Sequence, residues 1–467
     1  MERRLSFSGR FTLVLVLTLI VLLLPTPSGL SPAGKRALTA FAFTGGVFAL
    51  QPVSLPFASL MVSVALVVLG VADASQAFEA LSRPIIILIL GSLFLAEALR
   101  KHGITRRLAL TAIVASGGDV NRLLLGLMGI AALLSMWMEN TATTAVLIPV
   151  ALIIANRIED REKAGEVTLL LVMGIAYSAS LGGMVTITGS ASNAVASGFL
   201  NRIQPWSFTD WVKYGLPSFL LVFPLTWWAL SKLINVRLEN LDIGMAREEK
   251  QQLGPVRTVQ WEIVAVLTGT AILWIVGSDV ERVLGLPPTM MSPAVVAMVA
   301  VAYMALRDII AWEDVKGVSW GMFFTIGAGL ALGEALIRTG ATAWLTEIVA
   351  PAIVGSPVIL RLFILIFSSA LLTNIVNNAT VAAVFVPILI SIAEGDPRFS
   401  AVQLVLPLTL ATTFGYALPS ASGRMALIYE TGIVERRDMI RLGVVMTVLS
   451  SICLTILFYG MVSLGLI

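Results

Sequence analysis

Long apolar runs, separated by short polar, glycine or proline stretches, occupy most of this chain. A run of roughly 17–25 apolar residues is long enough to cross the hydrocarbon core of a bilayer as an α-helix. Single spanning helices are therefore predicted near residues 11–25, 36–50, 53–72, 84–99, 212–233, 261–277, 289–306, 319–337 and 439–463.

Four further apolar regions are too long or too interrupted to form one regular span each. Regions 122–156 and 357–393 are long enough to enter and leave the membrane on one side, as re-entrant hairpins. Regions 166–200 and 400–434 carry Gly, Ser, Thr and Asn at mid-depth and are predicted to be broken helices. Transporters build solute sites from such interruptions, because non-helical backbone must be buried in protein or line a wet cavity. The pattern predicts an all-α polytopic membrane protein with about 11 transmembrane helices.

The composition supports a bilayer environment and excludes several kinds of chemistry. Apolar residues make up 57% of the chain, charged residues 13%, and mean hydropathy is +0.93, whereas soluble proteins carry roughly 25% charge. The single cysteine, Cys453, and the single histidine, His102, cannot form a disulfide, a zinc cluster or a Cys–His nucleophile. The sequence also lacks phosphate-binding loops, nucleophile elbows and nucleic-acid-binding patches. Neither an enzyme nor a nucleic-acid partner is expected.

The distribution of positive charge predicts how the chain is oriented. Most lysines and arginines, from Arg3 and Arg4 to Arg436 and Arg437, fall in segments that would share one side. Such a bias marks the cytoplasmic side, so the N-terminus is expected in the cytoplasm and the C-terminus outside the cell. The basic start and its apolar run also suit a signal peptide, but no small-residue cleavage site follows. The run is interpreted as the first membrane helix.

A long-period repeat divides the chain into two halves. The pattern Glu-Ala-Leu followed by Gly, and then by Asn, Ala and Pro, occurs twice at a nearly constant offset. Its copies are Glu97–Leu99, Gly103, Asn140, Ala145 and Pro149, and Glu334–Leu336, Gly340, Asn378, Ala383 and Pro387. An odd number of crossings between copies would make them inverted repeats; chance similarity between apolar segments is the alternative. The predicted organisation is N-terminal scaffold helices (1–80), a first inverted repeat (81–234), a cytoplasmic linker (235–260) and a second inverted repeat (261–467).

Two polar clusters mark the predicted hairpin tips. The first runs from Met138 to Ala145 and the second from Asn374 to Thr380. Asn and Thr both donate and accept hydrogen bonds, so they can coordinate a cation through oxygen or a carboxylate through N–H and O–H. A helix start adds free backbone N–H groups for an anion. These residues could merely cap their helices, but the matched pair of clusters favours a binding site.

The motifs resemble those of the divalent anion–sodium symporter family, the dicarboxylate and citrate carriers of the ion transporter superfamily. That family carries Ser-Asn-Thr at each hairpin tip, then Ala-Thr-Thr-Ala and a proline; the corresponding segments here are Glu139–Ala145 and Asn377–Ala379. Gly182-Gly183 and the segment Gly189–Asn193 resemble the family's Gly-Gly…Gly-Thr-Pro-Pro-Asn, and Leu418–Met425 resembles its second copy. The resemblance extends from about residue 80 to the C-terminus.

The resemblance implies where substrate and sodium bind. In such relatives the Asn and Thr of each tip bind substrate carboxylates, and one sodium ion lies between each tip and the adjacent broken helix. By position, the substrate candidates are Asn140, Thr141, Asn378, Ala379 and Thr380. The candidates for a cation site or its charge substitute are Glu139, Asn140, Gly183, Gly189, Asn193, Asn377, Ala421 and Arg424, with sodium expected near Glu139 and Asn193. Ala379 lacks a hydroxyl, which Thr380 would supply only if the tip is shifted.

Two residues depart from the family pattern in ways that bear on mechanism. Glu139 replaces Ser at the first cation site, and Arg424 stands beside the second, where the family usually has Pro. Charge at membrane depth is costly and usually functional. The guanidinium could occupy the second cation site permanently, and the carboxylate could bind a cation or carry a proton. Alternatively, the two residues form a structural ion pair or face a water-filled vestibule.

The expected function is secondary active transport of small anions, namely di- or tricarboxylates. No cofactor is expected apart from Na⁺ as a coupling ion. The resemblance implies an elevator-like movement in a homodimer in the cell membrane. A fixed charge at the second cation site favours exchange, or coupling to at most one cation near Glu139. A cation/proton antiporter or oxyanion exporter of the same superfamily is the alternative, because the second motif lacks its threonine.

Overall fold

The computed structural model describes residues 7–155, 157–234, 236, 240–430, 432 and 434–467. Within these ranges the chain is helical and contains no β-strand. The helices α1–α21 are, in order, Phe7–Leu23, Pro32–Leu50, Leu55–Val68, Ala74–Glu79, Pro84–Lys101, Ile104–Ser116, Val120–Ser135, Asn140–Ala155, Arg161–Gly183, Ala191–Ile203, Phe208–Leu233, Gly244–Gln252, Thr258–Leu284, Pro293–Leu306, Trp320–Arg338, Ala341–Val354, Val358–Leu372, Asn378–Gly395, Ala401–Ala411, Gly423–Glu430 and Arg436–Ser463. Short 3₁₀ segments are Ala80–Ser82, Ile187–Gly189, Trp312–Gly317, Thr412–Phe414 and Pro419–Ala421.

Two pairs of helices occupy the regions predicted as hairpins. Helices α7 and α8 are joined through residues 136–139, and α17 and α18 through residues 373–377. Asp119 starts α7 by accepting a hydrogen bond from the backbone N–H of Arg122 at 2.7 Å, and Asn377 caps α18 by accepting one from Ala379 N–H at 2.9 Å. Side-chain caps of this kind satisfy backbone donors that a helix start leaves free. Local sequence therefore fixes where these helices begin.

The predicted broken helices are interrupted at matched positions. Helices α9 and α10 are separated by residues 184–190, and α19 and α20 by residues 412–422. The 3₁₀ segments Ile187–Gly189 and Pro419–Ala421 each end two residues before the second helix starts. Each interruption leaves backbone carbonyl groups outside a regular helical ladder, where they are available to other donors or to a cation.

Helices of the predicted hairpins and broken helices pack against one another across the two halves of the sequence. Helix α8 packs against α9 of its own half and against α20 of the other half. Helix α18 likewise packs against α19 of its own half and against α10 of the other half. Helices α1, α2 and α3 pack in sequence, and α2 and α3 also contact α15. The four polar interruptions are thus brought into one region of contact between the halves.

Glycine permits close contact between the first hairpin and the first broken helix. A Cβ added at Gly182 would collide with the backbone of Ala132, so α9 and α7 touch main chain to main chain at this point. Small residues allow such close approach between helices in membranes. This contact holds the end of α9, and therefore the break that follows it, against α7.

Six helices of the described chain are long and apolar enough to cross a membrane, or seven if the bent pair Ala74–Ser82 and Pro84–Lys101 is one span. Several other apolar helices, including both arms of the first hairpin, have only 10–17 residues. The hairpin turn at residues 136–139 separates the two arms of the first hairpin, α7 and α8. The predicted total of about 11 spans counts short helices that are joined to each other as one span. That total remains a prediction, and so do the domain boundaries and the inverted orientation of the halves.

Candidate functional site

The first polar cluster forms where α7 ends and α8 begins. Ser135, the last residue of α7, donates a hydrogen bond through its hydroxyl to Asn140 Oδ1 at 2.9 Å. Asn140 is the first residue of α8 and is buried. Because helix starts carry free N–H groups and partial positive charge, this amide lies where backbone donors for an anion are available.

Two glycines of the first broken helix complete a compact group of oxygen atoms. A Cβ at Gly183 would lie 2.5 Å from Asn140 Oδ1 and 2.8 Å from the carbonyl oxygen of Gly189. A Cβ at Gly189 would lie 2.6 Å from the Gly183 carbonyl oxygen and 2.8 Å from that of Ser135. Only glycine allows these oxygens to approach so closely. Uncharged oxygen ligands in such a group suit a hard cation.

Asn193 is bonded to the Gly183 carbonyl of this group and carries a buried oxygen of its own. Its side chain is 0% exposed, and its Nδ2 donates to the carbonyl oxygens of Gly183 and Thr186, both at 2.8 Å. Its Oδ1 is buried and accepts no hydrogen bond within the described part of the chain. Buried polar atoms are rarely left unsatisfied. The acceptor would be satisfied by a bound cation, and the predicted sodium site near Asn193 fits these residues.

The second cluster repeats the hairpin half of this arrangement. The Thr373 hydroxyl hydrogen-bonds to Asn378 Oδ1, as Ser135 does to Asn140. Thr373 also lies 3.1 Å from the carbonyl oxygen of Thr412, in the second break. Both asparagines are the first residues of their helices. Asn140 and Asn378 therefore make the same hydrogen bond at the same position of their helices, although Asn140 is buried and Asn378 is partly exposed.

The broken-helix half of the second cluster is different, because a buried arginine fills it. Arg424 is 1% exposed, and its Nη2 donates to the carbonyl oxygens of Gly415 at 3.0 Å and Thr413 at 3.3 Å. The Thr413 carbonyl also accepts from Ser180 of α9 at 2.6 Å. The guanidinium thus provides positive charge directly to the carbonyls of the break.

Matching the two breaks by their helix starts reveals a residue that the sequence analysis missed. When Ala191 is matched with Gly423, Gly183 corresponds to Gly415 and Asn193 to Met425. Met425 is fully buried and offers no oxygen ligand. Arg424 donates to the Gly415 carbonyl as Asn193 donates to the Gly183 carbonyl. The spacing from each glycine to the following helix was the signal that could have identified Met425.

Glu139 and Arg424 have different partners in the structure. The Glu139 carboxylate accepts a hydrogen bond from the hydroxyl of Ser319, the residue before α15. Among the described residues, Glu139 and Arg424 do not form an ion pair with each other. Glu139 is also partly exposed, whereas Arg424 is buried. The two charges therefore act in separate environments in this structure.

The other predicted residues lie close to the tips. Thr141 Oγ1 would be 2.7 Å from a Cβ at Gly423, so the first hairpin tip touches the start of α20. Ala379 and Thr380 are buried, and the Thr380 hydroxyl has no hydrogen-bond partner among the described residues. Asn377 and Asn378 are partly exposed, and Ala421 is buried in the second break.

Four helix starts and one buried cation determine the electrostatics of this region. Helices α8, α10, α18 and α20 all begin at the interruptions, and each start carries partial positive charge. Arg424 adds a full positive charge. The first cluster thus combines a helix start, which suits an anion, with oxygen atoms of the kind that suit a cation.

Comparison with known proteins identifies the family. The profile of the sodium:sulfate symporter transmembrane region matches residues 6–466. An uncharacterised transporter of Haemophilus influenzae is 29% identical over 436 residues, which cover 92% of each chain. The sodium-dependent dicarboxylate transporter SdcS of Staphylococcus saprophyticus is 25% identical over 467 residues, covering 96% of this chain and 90% of that relative.

A solved structure shows the same fold at low sequence identity. MtrF of Neisseria gonorrhoeae, from a class of antimetabolite efflux pumps, aligns with a TM-score of 0.50 and 13% identity over 96% of this chain and 94% of that chain. The all-α polytopic membrane fold and the transporter class are confirmed. With the family profile covering nearly its whole length, this chain belongs to the sodium:sulfate symporter transmembrane region family, as its hairpin and broken-helix motifs predicted.

Proposed function

We propose that this secondary transporter of anions carries di- or tricarboxylates, with one cation site in its first half and a fixed positive charge in its second. The observation that carries the proposal is the contrast between the two breaks. The first has an oxygen group with the unsatisfied Asn193 Oδ1, and the second has Arg424 on its carbonyls. Coupling to at most one sodium ion follows.

Substrate recognition is assigned to the two hairpin tips. Asn140, Thr141 and Asn378 offer amide and hydroxyl groups beside the backbone N–H groups of helix starts. A dicarboxylate presents two anionic groups, so it suits two matched tips better than a single tip. The sodium-dependent dicarboxylate transport named for SdcS supports this substrate class.

Transport is proposed to proceed by an elevator-like movement in a homodimer. Helices of the predicted hairpins and broken helices pack against one another across the halves, so they are suited to move as one unit carrying the site. Helices α2 and α3 pack with α15 and would belong to the scaffold. The cell membrane is the proposed location, with the N-terminus in the cytoplasm and the C-terminus outside.

Arg424 favours exchange over net symport. A guanidinium cannot dissociate as sodium does, so the carrier without substrate retains a buried positive charge. Moving an uncompensated charge through the membrane is costly. A direct ion pair with Glu139 would neutralise that charge, but Glu139 binds Ser319 instead. The substrate anion is then the main source of compensation, and the loaded carrier reorients faster than the empty one.

Glu139 supports one alternative function. A carboxylate at the tip that is partly exposed and bonded to a hydroxyl can exchange a proton or a cation with water. A cation/proton antiporter or an oxyanion exporter of the same superfamily would use it in this way. Proton coupling in place of sodium coupling is the feature that distinguishes this alternative.

Uptake of labelled succinate into proteoliposomes tests the exchange proposal. Vesicles loaded with unlabelled succinate should take up label much faster than empty vesicles. The uptake rate should depend on the sodium concentration to first order. Arg424→Pro, which restores the usual family residue, should lose the advantage of internal substrate if it folds, and thermal melting in detergent checks folding. Sodium-driven uptake into empty vesicles that survives Arg424→Pro would contradict the proposal. Uptake driven by protons alone would favour the alternative.

A further inference from the structure

A basic cleft lies away from the central site, at the junction of the two halves. It has a volume of about 480 Å³ and is bounded by the turn between α5 and α6, the end of α12 and the start of α13. Its basic lining residues are Lys101, Arg106, Arg107 and Arg257. A cleft of this size accommodates a small organic molecule or a lipid headgroup.

The positive charge of the cleft is only partly compensated. Lys101 pairs with Asp314 at 2.6 Å, and Arg106 pairs with Glu249 of α12. Neither Arg107 nor Arg257 forms an ion pair with any carboxylate in the described residues. Four basic side chains therefore face two paired acids, which leaves a local excess of positive charge.

Arg107 holds the linker against α6 and so shapes the cleft. Its Nη1 donates to the carbonyl oxygen of Gly254 at 2.8 Å, and its Nη2 donates to that of Leu253 at 2.9 Å. Gln260 of α13 donates through Nε2 to the carbonyl oxygen of His102 at 2.8 Å. The walls are thus tied together by neutral acceptors, while the charge of Arg107 is not cancelled.

Two helix starts add partial positive charge to the same cleft. Gly103 precedes α6 and Arg257 precedes α13, where Arg257 N–H donates to Gln260 Oε1 at 3.1 Å and Gln260 N–H donates to the Arg257 carbonyl oxygen at 2.9 Å. Both residues line the cleft. The partial positive charge of helix starts favours anions. This contribution is independent of the basic side chains.

We infer that this cleft binds a phosphate group carried by a larger molecule. Guanidinium groups bind phosphate oxygens in bidentate fashion, and a phosphate offers more acceptors than a carboxylate. The shared chemistry fits two sources: the headgroup of an anionic phospholipid, which basic pockets of membrane proteins bind, or a soluble phosphorylated molecule. Either source would reach residues at the ends of membrane helices.

The position of the cleft gives binding a consequence for movement. Gly103 has φ 70° and joins α5, which packs against α14, to α6, which packs against the first hairpin. A bound phosphate contacting Arg106 and Arg257 would tie this joint to the linker and α13. Binding should therefore stabilise the fold and slow any movement of the hairpin relative to α5.

Thermal melting of the full chain in nanodiscs tests this site directly. The soluble arm adds inorganic pyrophosphate to phosphatidylcholine nanodiscs, and the lipid arm compares phosphatidylcholine alone with equal parts of phosphatidylcholine and phosphatidylglycerol. At least one arm should raise the melting temperature. In Arg257→Gln, the ligand concentration that gives the same response should be about tenfold higher or more, because one charge-assisted contact is lost.

Two control variants separate this site from general charge effects and from the transport site. Arg161→Gln removes another exposed arginine at a helix start and should keep the full response. Asn140→Ala alters the proposed substrate site and should also keep it, so failure of the transport proposal would not affect this result. A response in only one arm identifies the source. No response in either arm, or equal weakening in Arg257→Gln and Arg161→Gln, would overturn the inference.

Discussion

At the scale of single residues, the two halves share one hydrogen bond and then diverge. Ser135 and Thr373 each bond to the asparagine that starts the next helix. In the first break Asn193 provides an amide, whereas in the second Arg424 provides a guanidinium. Both groups donate to a glycine carbonyl, but only the amide also carries an acceptor. The first break therefore keeps an oxygen that could serve a cation, whereas the second break holds a fixed positive charge.

Asn193→Met tests this interpretation by giving the first break the residue found at the matched position of the second. The variant loses two hydrogen bonds to backbone carbonyls and an oxygen ligand. We expect a stability loss of ~1–3 kcal/mol for each carbonyl left unsatisfied, and loss of sodium-dependent stabilisation. Sodium titration of the melting temperature in detergent measures both effects.

A conservative change at the matched position provides the control for that experiment. Met425→Leu alters a buried apolar side chain and conserves its volume, so it should cost less than about 1.5 kcal/mol. The sodium titration of Met425→Leu should remain that of the parent protein. A normal sodium response in Asn193→Met would exclude Asn193 from the cation site.

At the scale of helices, one carboxylate ties three elements together. Glu334 of α15 forms an ion pair with Arg83, which precedes α5, and another at 3.2 Å with Arg202 of α10. Its repeat partner Glu97 pairs with Arg100 one turn away in the same helix. The sequence repeats the acid at both positions, but of the two only Glu334 links α15 to α10, with which it is in contact.

Glu334→Gln should therefore destabilise the protein more than Glu97→Gln does. Loss of Glu334 leaves two arginines without their carboxylate, although side-chain exposures of 23% and 47% let water compensate in part. We expect a cost of about 1–2 kcal/mol, between the values for exposed and buried ion pairs. Glu97→Gln frees only the half-exposed Arg100 and should cost less than about 1 kcal/mol. Equal reductions in melting temperature would contradict the bridging role of Glu334.

At the scale of the whole molecule, contacts across the halves hold the site together. Ser180 of the first half donates to Thr413 of the second at 2.6 Å, and Thr412 donates to Ser192 at 2.8 Å. These bonds lie in the breaks, where backbone carbonyls are outside the helical ladder. The Ser180 hydroxyl therefore satisfies a backbone carbonyl of the second break, as a buried break in a membrane requires, and the bond between the Thr412 and Ser192 hydroxyls links that break to α10.

The orientation of the chain predicts the behaviour of terminal fusions. Alkaline phosphatase fused after Ile467 should be active, because the C-terminus is predicted outside and the enzyme needs an oxidising compartment. Green fluorescent protein at the same position should be dark in that compartment. A phosphatase fusion truncated after Gln251, in the predicted cytoplasmic linker, is the matched control and should be inactive. The reverse pattern of activities would contradict the predicted topology.

Sequence alone determined the membrane class, the family and the positions of the polar interruptions. These features depend on local properties: apolar run length sets the helices, Asn377 caps its own helix, and the glycines mark breaks. The family motifs also located Asn140, Asn378 and Asn193 at the tips and breaks where the structure has them. Each such signal spans a few residues, so it can be recognised without knowing how the helices pack.

Only the tertiary structure decided which groups act together. Glu139 bonds to Ser319, 180 residues away, rather than to Arg424. Arg424 donates to carbonyls of its own break, which also accept from Ser180 in the other half. Hydrogen bonds need donor and acceptor within about 3 Å and well aligned, and packing of distant helices sets that geometry. Periodicity reports how each segment is buried, but not which distant segment lies against it.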